Sequence, residues 1–280
     1  MKKISLYIPT RNSGDYLREC LDSVFSQDMK FSEVIIVDED STDDTLDAAA
    51  GYDVRIIKIK RGAGLAHARN AGIKNSRYGI VASIDSDVVL ERDWLKNITR
   101  NFDDKGYTGA GGRLIEKNKD YCSRWRSTHM RQDWGLHRRD NPRFLFGSNC
   151  AFKKKDILDI GGYDEKYKTN YEDVDMSDRL KSKGYKLVYE PDAVCYHRKR
   201  DNILSLMKSY YGWTFYGYPV PDSFQRLLQR TVIFNPHKSF KLLLKDLAGI
   251  NVINLPADIL AGILHSVYDL KYYLRKPMER

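Results

Sequence analysis

The sequence predicts an α/β fold, a doubly wound and mostly parallel sheet followed by a C-terminal helical appendage. Three observations carry that prediction. Short apolar runs alternate four times with segments of helical period in the first hundred residues, the pattern of parallel strands joined by crossover helices. Three of those runs end in chemically loaded residues: Pro9-Thr10-Arg11-Asn12, Asp38-Glu39-Asp40 and Asp85-Ser86-Asp87. After His197 the rhythm gives way to aromatic and amphipathic segments.

Taken in order, residues 3–9 read as a buried strand and 10–14 as a polar turn. Leu17, Cys20, Leu21, Val24 and Phe25 then fall at helical spacing. Residues 33–37 are a second strand, 45–50 a short helix, 54–59 a third strand, 65–74 an alanine-rich helix and 80–84 a fourth strand. Trp94, Ile98 and Phe102 form the stripe of another helix. Residues 121–143 are basic and aromatic without a clean period, which predicts a loop or a short irregular helix. Residues 144–152 read as a strand and Gly161-Gly162 as a turn. A helix starts at Tyr171-Glu172-Asp173-Val174-Asp175 and stops at Gly184. Residues 186–189 and 193–196 read as two short strands around a Glu190-Pro191-Asp192 turn. In the tail, Phe240, Leu243, Leu244 and Leu247 form one apolar stripe. Ile259, Ile263, Val267, Leu270 and Leu274 form another, with Lys271, Arg275 and Lys276 beside it.

Composition narrows the class. A chain of 280 residues, 42% hydrophobic and 30% charged, buries a real core and is neither disordered nor a disulfide-stapled miniprotein. Its four cysteines, at 20, 122, 150 and 195, make no C-x-x-C pair and are expected to be reduced thiols of a cytoplasmic protein. The longest apolar stretch, 247–264, is broken by Asn251, Asn254, Pro256 and Asp258, so no spanning helix is expected. A β-like segment with a proline follows Met1-Lys2-Lys3, so no signal peptide is expected either. The net charge of +9 is uneven: residues 113–155 carry twelve Lys/Arg against four Asp/Glu, and 199–280 carry twelve against six. Such zones suit nucleic acid, an anionic membrane or a phosphorylated substrate. Carboxylates at the strand ends disfavour nucleic acid, whose phosphates they repel.

Each loaded segment has a chemical reading and a structural one. Asp85-x-Asp87 at a strand exit can hold a divalent cation shared with substrate phosphates, or can be plain turn chemistry. Asp38-Glu39-Asp40 can accept hydrogen bonds from a base or ribose, or can cap the following helix. Glu172-Asp173-x-Asp175 opens a helix, where a carboxylate is normally held low in pKa and can serve as a general base. It can equally be an N-terminal acidic cluster. Gly62-Ala63-Gly64 with Asp85 downstream mimics a dinucleotide fingerprint, but His67 stands where the third glycine belongs. Walker and serine-elbow motifs are absent.

Together these pieces resemble the family 2 inverting glycosyltransferases with a GT-A, Rossmann-like fold. The resemblance runs in order through Ile8-Pro9-Thr10-Arg11-Asn12, 34–45, Ala68-Arg69-Asn70-Ala71-Gly72-Ile73 and Ile84-Asp85-Ser86-Asp87. It continues through Gly147-Ser148-Asn149-Cys150-Ala151-Phe152, Gly161-Gly162-Tyr163-Asp164-Glu165, Glu172-Asp173-Val174-Asp175 with Arg179, Tyr189-Glu190-Pro191-Asp192-Ala193, and His197. It implies a transferase domain over 1–198, with a donor half (1–112) and an acceptor half (113–198), and a helical appendage over 199–280.

The resemblance also implies roles. Pro9, Thr10, Arg11, Asn12, Asp38 and Asp40 would hold the nucleotide, with Arg69, Asp85 and Ser86 near its ribose and phosphates. Asp87 and His197 would hold Mn2+ or Mg2+ on the diphosphate. Asp173, with Glu172 beside it, would be the general base, and Asn149 and Trp134 would line the acceptor. The implied reaction moves one sugar from a nucleoside-diphosphate donor, UDP being favoured, to a hydroxyl of a glycan, lipid or lipid-linked acceptor.

Departures are visible. Arg11 stands where an aromatic residue is common, and Asp38-Glu39-Asp40-Ser41 replaces Asp-Asp-Gly-Ser, which leaves open which of the three acids meets the base. Gln132-Asp133-Trp134 does not match the Gln-x-x-Arg-Trp motif of processive synthases. A sugar-phosphate nucleotidylyltransferase is the alternative enzyme, disfavoured because residues 9–14 are not a glycine-rich loop. A basic membrane-binding module is the non-enzymatic alternative. For the tail, contact with a cytoplasmic membrane face and packing on protein or on a second subunit stand open.

Overall fold

The computed structural model describes residues 2–102 and 106–275; Lys276 and the rest of 276–280 lie outside the described residues. The chain divides into two compact units, Met1–Asn118 with Arg131–Lys199, and Lys119–Met130 with Arg200–Arg280.

The described residues of the first unit hold a nine-stranded sheet. Its strands are β1 (Ile4–Thr10), β2 (Glu33–Asp38), β3 (Arg55–Lys58), β4 (Ile80–Ile84), β5 (Val88–Leu90), β6 (Tyr107–Glu116), β7 (Arg139–Asp140), β8 (Asn149–Lys153) and β9 (Lys186–His197). The order is β3-β2-β1-β4-β8-β6-β9-β5, with β7 also on β9. β1 to β4, β6 and β9 point one way and β5, β7 and β8 the other, so the sheet is mostly parallel as expected. Helices α1 (Gly14–Phe25), α2 (Thr45–Ala49), α3 (Leu65–Asn75) and α4 (Trp94–Thr99) follow the first strands. Helix α5 (Tyr121–His129) belongs to the second unit, and α6 (Lys154–Asp159) and α7 (Glu172–Ser182) complete the first.

The sheet is covered on both faces, which is why its strands read as continuous apolar runs. Every residue of β1 is buried. Ile4, Leu6 and Ile8 join Leu17, Leu21 and Trp94 in one core. Tyr7 joins Ile35, Ala66, Ile73, Met176 and Leu180 in the other. The alternation along β1 thus feeds two helical layers, α1 and α4 on one side and α3 and α7 on the other.

Two local expectations change. The strand expected over 144–152 is shorter: β8 starts at Asn149, and the backbone groups of Gly147 bond to Arg69 and Asp173 instead of a neighbouring strand. The two strands expected around Pro191 are one strand with a bulge. Its register jumps from Gly111↔Tyr189 to Arg113↔Val194, so Glu190 to Ala193 bulge out where proline has no N–H to give the ladder. The segment 121–143, read as a loop or a short irregular helix, opens with the short helix α5, capped by Asp120 accepting from the Ser123 N–H at 3.1 Å.

In the second unit, α5 is joined by α8 (Ile203–Thr214), α9 (Phe224–Gln229), α10 (Asn235–Ala248) and α11 (Leu255–Arg275), with a π turn over Arg230–Phe234. A small apolar cluster includes Trp125, Leu206, Met207, Leu242 and Ala261. The two stripes read from the sequence face outward: Phe240, Leu244 and Leu247 on α10, and Ile259, Ile263, Val267, Leu270 and Leu274 on α11, are all exposed. The buried faces are Asn235, Lys238, Leu242 and Asp246 on α10, and Ala257, Asp258, Ala261, His265 and Asp269 on α11. No helix among the described residues is long and apolar enough to cross a membrane. All four cysteines are free and buried.

Candidate active site

The parallel register sets the site. Thr10 pairs with Asp38, and Tyr7 with Ser83 two residues before Asp85, so the loaded ends of β1, β2 and β4 lie along one edge of the sheet. Ligands of such sheets bind beyond that edge.

At one part of the edge lies a cleft of about 310 Å3, lined by Pro9, Thr10 and Arg11 as expected, and by Glu39, Gly64 and Lys168. The acid that lines it is Glu39, whose Oε1 accepts the N–H groups of Gly62 at 2.8 Å and Gly64 at 3.2 Å. Asp38 is buried, and its Oδ2 accepts the Ser41 N–H at 3.3 Å. Asp40 turns to the surface with φ 53° and pairs with Arg61 at 3.3 Å. Asn12 stitches two loops: its Oδ1 accepts the Thr42 N–H and its own N–H donates to Ser41 Oγ, both at 2.9 Å.

Next to the cleft is a corner built from Asp85, Ser86, Asp87 and His197. Ser86 Oγ donates to Ser13 Oγ at 2.8 Å and fixes the loop to the start of α1. His197 Nε2 lies 3.4 Å from Asp87 Oδ2, and its Nδ1 lies 2.9 Å from Glu116 Oε1. Burial opposes charge on His197, but the two flanking carboxylates win and raise its pKa to about 9. Asp87 is also desolvated, yet His197 draws its pKa down. Asp85 goes the other way, raised by desolvation and by the Asp87 charge against the pull of Arg69.

Asp87 and His197 would hold a divalent ion at this corner, the imidazole giving up its Nε2 proton to do so. Glu116 holds the imidazole by Nδ1 with Nε2 aimed at the Asp87 carboxylate, the arrangement that orients ligating histidines. Glu116 escaped the sequence reading because it is brought to His197 only by the β6–β9 register.

Arg69 is the hub. Fully buried, it donates from Nη2 to Asp85 Oδ1 at 3.0 Å and from Nη1 to Ser83 Oγ at 2.7 Å and to the Gly147 carbonyl. Its Nε lies 3.3 Å from Glu172 Oε1. Gly147 has no room for a side chain, since a Cβ would meet the guanidinium carbon at 2.8 Å. Its N–H donates to Asp173 Oδ2 at 3.1 Å.

The general-base expectation needs one correction. Asp173 is not held low: burial raises its pKa, against the N–H groups of Gly147 and Val174 and the charge of Arg69. Glu172 is raised to about 8 through burial and the Asp173 charge. Backbone N–H groups solvate Asp173, whereas Glu172 Oε2 is buried without a partner. Glu172 therefore favours its neutral form, while the two N–H groups favour the charged form of half-buried Asp173.

The remaining motifs brace this pair. Asp175 holds Arg179 at 2.7 Å, and Arg179 donates to the carbonyls of Ile160 and Gly162. Asn70 grips Tyr163 through both backbone groups, at 2.8 and 2.9 Å. Gly162 sits at φ +78° with Asn70 2.6 Å from where a Cβ would lie.

The two acceptor assignments fare differently. Asn149 is fully buried, and its Oδ1 accepts from Trp94 Nε1 at 2.7 Å, so it is a core residue and cannot face an acceptor. Trp134 is partly exposed, donates to the Phe144 carbonyl at 2.8 Å and packs edge-on against Phe144 and tilted against Phe146.

Comparison with known proteins agrees with this architecture. The pre-mycofactocin glycosyltransferase of Mycobacterium tuberculosis is 28% identical over 227 residues, 75% of this chain and 46% of that protein. The poly-beta-1,6-N-acetyl-D-glucosamine synthase of Staphylococcus aureus is 24% identical over 231 residues, 79% of this chain and 56% of that protein. The chain thus spans about half the length of these relatives. A solved mannosyltransferase of Pyrobaculum calidifontis, in complex with GDP-Man and Mn2+, superposes with a TM-score of 0.62 at 19% identity, covering 98% of this chain and 87% of that one. That likeness shows the GT-A fold. The model of glycosyl transferase family 2 matches residues 5–161, more than half of the chain, and this protein belongs to that family.

Proposed function

We propose that this protein transfers one sugar, with inversion, from a nucleoside-diphosphate sugar to a hydroxyl acceptor. The observation that carries the reading is the Arg69 hub. One buried guanidinium ties Asp85 of the diphosphate corner to Gly147, which in turn binds the base Asp173.

The nucleotide occupies the cleft of Thr10, Arg11 and Glu39, with Lys168 at its side. Asp87 and deprotonated His197 would hold Mn2+ or Mg2+, which would supply positive charge to the departing diphosphate. Asp173 accepts the proton of the acceptor hydroxyl as its oxygen attacks the anomeric carbon from the face opposite the leaving group. A raised pKa makes Asp173 a stronger base than a free carboxylate. Glu172 and Arg69 keep its surroundings neutral overall. A glycan, lipid or lipid-linked acceptor fits a base of this kind. The absence of Gln-x-x-Arg-Trp around Trp134 favours a single transfer per encounter.

The test is release of nucleoside diphosphate from UDP-, GDP- and dTDP-sugars with Mn2+, scored with and without a sugar acceptor. Metal-dependent release from one donor supports the reading. No release from any donor, alongside intact nucleotide binding, would reject it as a transferase.

A further inference from the structure

The second unit is built inside out. Of the twenty large apolar side chains exposed among the described residues, seventeen lie in it; Ile56, Leu136 and Leu158 are the three in the first unit. On α11 the exposed Ile259, Ile263, Val267, Leu270 and Leu274 recur at steps of four and three, one stripe along a helix about 30 Å long. On α10, Phe240, Leu244 and Leu247 repeat the pattern.

Beside its small apolar cluster, its interior holds several buried charges. Arg230 donates to Asp269 at 2.9 Å, Asn235 to the other oxygen of Asp269 at 2.8 Å, and Lys238 lies 3.2 Å from His265 Nδ1. His129 Nε2 meets Asp246 at 2.7 Å, and Trp125 donates to Asp258 at 2.8 Å. A surface helix in water turns its apolar stripe to the core; α10 and α11 instead expose their large aliphatic stripes and bury charged residues beside Leu242, Ala257 and Ala261.

Charge selects the occupant. Burial removes Asp246, Asp258 and Asp269 from the surface, and the Asp201 side chain is 2% exposed. The exposed acids among the described residues of this unit are Asp120 and Asp222, and Asp222 pairs with Arg226 at 2.7 Å. Exposed Lys208, Lys241, Lys271 and Arg275 have no such acidic balance on the surface. A second copy docked through the same face would bring like charges together. An apolar stripe rimmed by cations matches an anionic lipid surface, with the stripe in the headgroup–acyl boundary and the cations at the phosphates.

We propose that the second unit seats on an anionic phospholipid bilayer through the outward stripes of α10 and α11, lying on the membrane without spanning it. The test is co-sedimentation of the full chain with phosphatidylcholine vesicles and with equal mixtures of phosphatidylcholine and phosphatidylglycerol. Strong binding to the mixed vesicles and weak binding to the neutral ones is expected.

Two variants sharpen it. The combined Ile263→Ser, Val267→Ser and Leu270→Ser variant changes exposed residues only and should lose vesicle binding while keeping its melting temperature and its nucleotide affinity. Lys241→Gln and Lys271→Gln should each weaken binding to mixed vesicles by about fivefold. The proposal is overturned if the chain stays in the supernatant with mixed vesicles, or if either kind of variant binds like the parent. It is likewise overturned if the parent is a dimer that the triple variant dissolves and vesicles are ignored. Nucleotide affinity is read separately, so this failure is distinct from failure of the transferase reading.

Discussion

The two units obey opposite rules of burial. In the first, apolar strands and helices fill two cores, and polar groups gather at one sheet edge around Arg69. In the second, buried ion pairs sit beside a small apolar cluster and aliphatic stripes face outward. The difference teaches that a helical period reports the existence of an apolar stripe, not the medium that it meets. It also separates two uses of buried charge. Around Arg69, buried charge is arranged beside a cleft that a ligand can enter. Around Arg230, it is enclosed.

The largest contrast is catalytic. Asp173→Asn should cut turnover by about 10²–10⁴-fold while nucleotide affinity survives, measured by steady-state rates and calorimetry. Unchanged turnover would remove Asp173 as base. The Ile263, Val267 and Leu270 serine variant should leave turnover on a soluble acceptor intact, which places chemistry in the first unit alone.

A buried-charge deletion tests the hubs. Arg69→Met strands the Asp85 carboxylate and should cost about 3–5 kcal/mol, and Arg230→Met should cost a similar amount by stranding Asp269. Chemical denaturation checks both. A cost near zero at Arg69 would mean that the site is not held by charge.

Glu116→Gln should weaken metal affinity by about 10–100-fold without touching the cleft, because Glu116 holds His197 by Nδ1 and does not line the cleft. Titration of Mn2+ in the presence of nucleotide measures this. Equal affinity would show that the imidazole does not need its carboxylate.

The smallest effect is a pH slope confined to the second unit. Burial, with Lys238 and Arg230 nearby, drives the pKa of His265 down to about 2, and the Tyr210 and Tyr211 rings enclose it. The unfolded chain binds a proton there below its ordinary pKa of about 6.5, and the folded chain does not. Stability is therefore present above that value and lost as pH falls below it, by about 1.4 kcal/mol per unit. Asp258, raised to about 6 by burial, contributes the opposite slope between its ordinary value and 6. Comparison of urea melts of the parent and His265→Asn at pH 7 and pH 5 isolates the histidine. The variant should lose about 2 kcal/mol less on acidification. Equal losses would show that His265 titrates normally in the fold.

Much of the first unit was legible because its signals are local. Ile80–Ile84 and Leu65–Asn75 announce themselves by period, and the Asp85-x-Asp87 and Glu172-Asp173 groups sit at element ends. What was illegible is non-local. Lys168 reaches the cleft from a loop before α7, and Glu116 meets His197 across a strand pair. Asn149 belongs to a matching motif, yet its side chain serves the core through Trp94. Arg69 was legible as a positive charge near the diphosphate, but its reach to Glu172 and Gly147 needs the packed sheet.

The account's central claim is a metal-dependent nucleotide site at the edge formed by β1, β2 and β4. Calorimetric titration of UDP, GDP and dTDP, each with Mn2+ and with chelator, tests it most directly, with Asp87→Ala alongside. The account predicts tight binding of one nucleotide that requires metal in the parent and is lost in Asp87→Ala. Binding that is equal with metal and with chelator, and unchanged in Asp87→Ala, would contradict it.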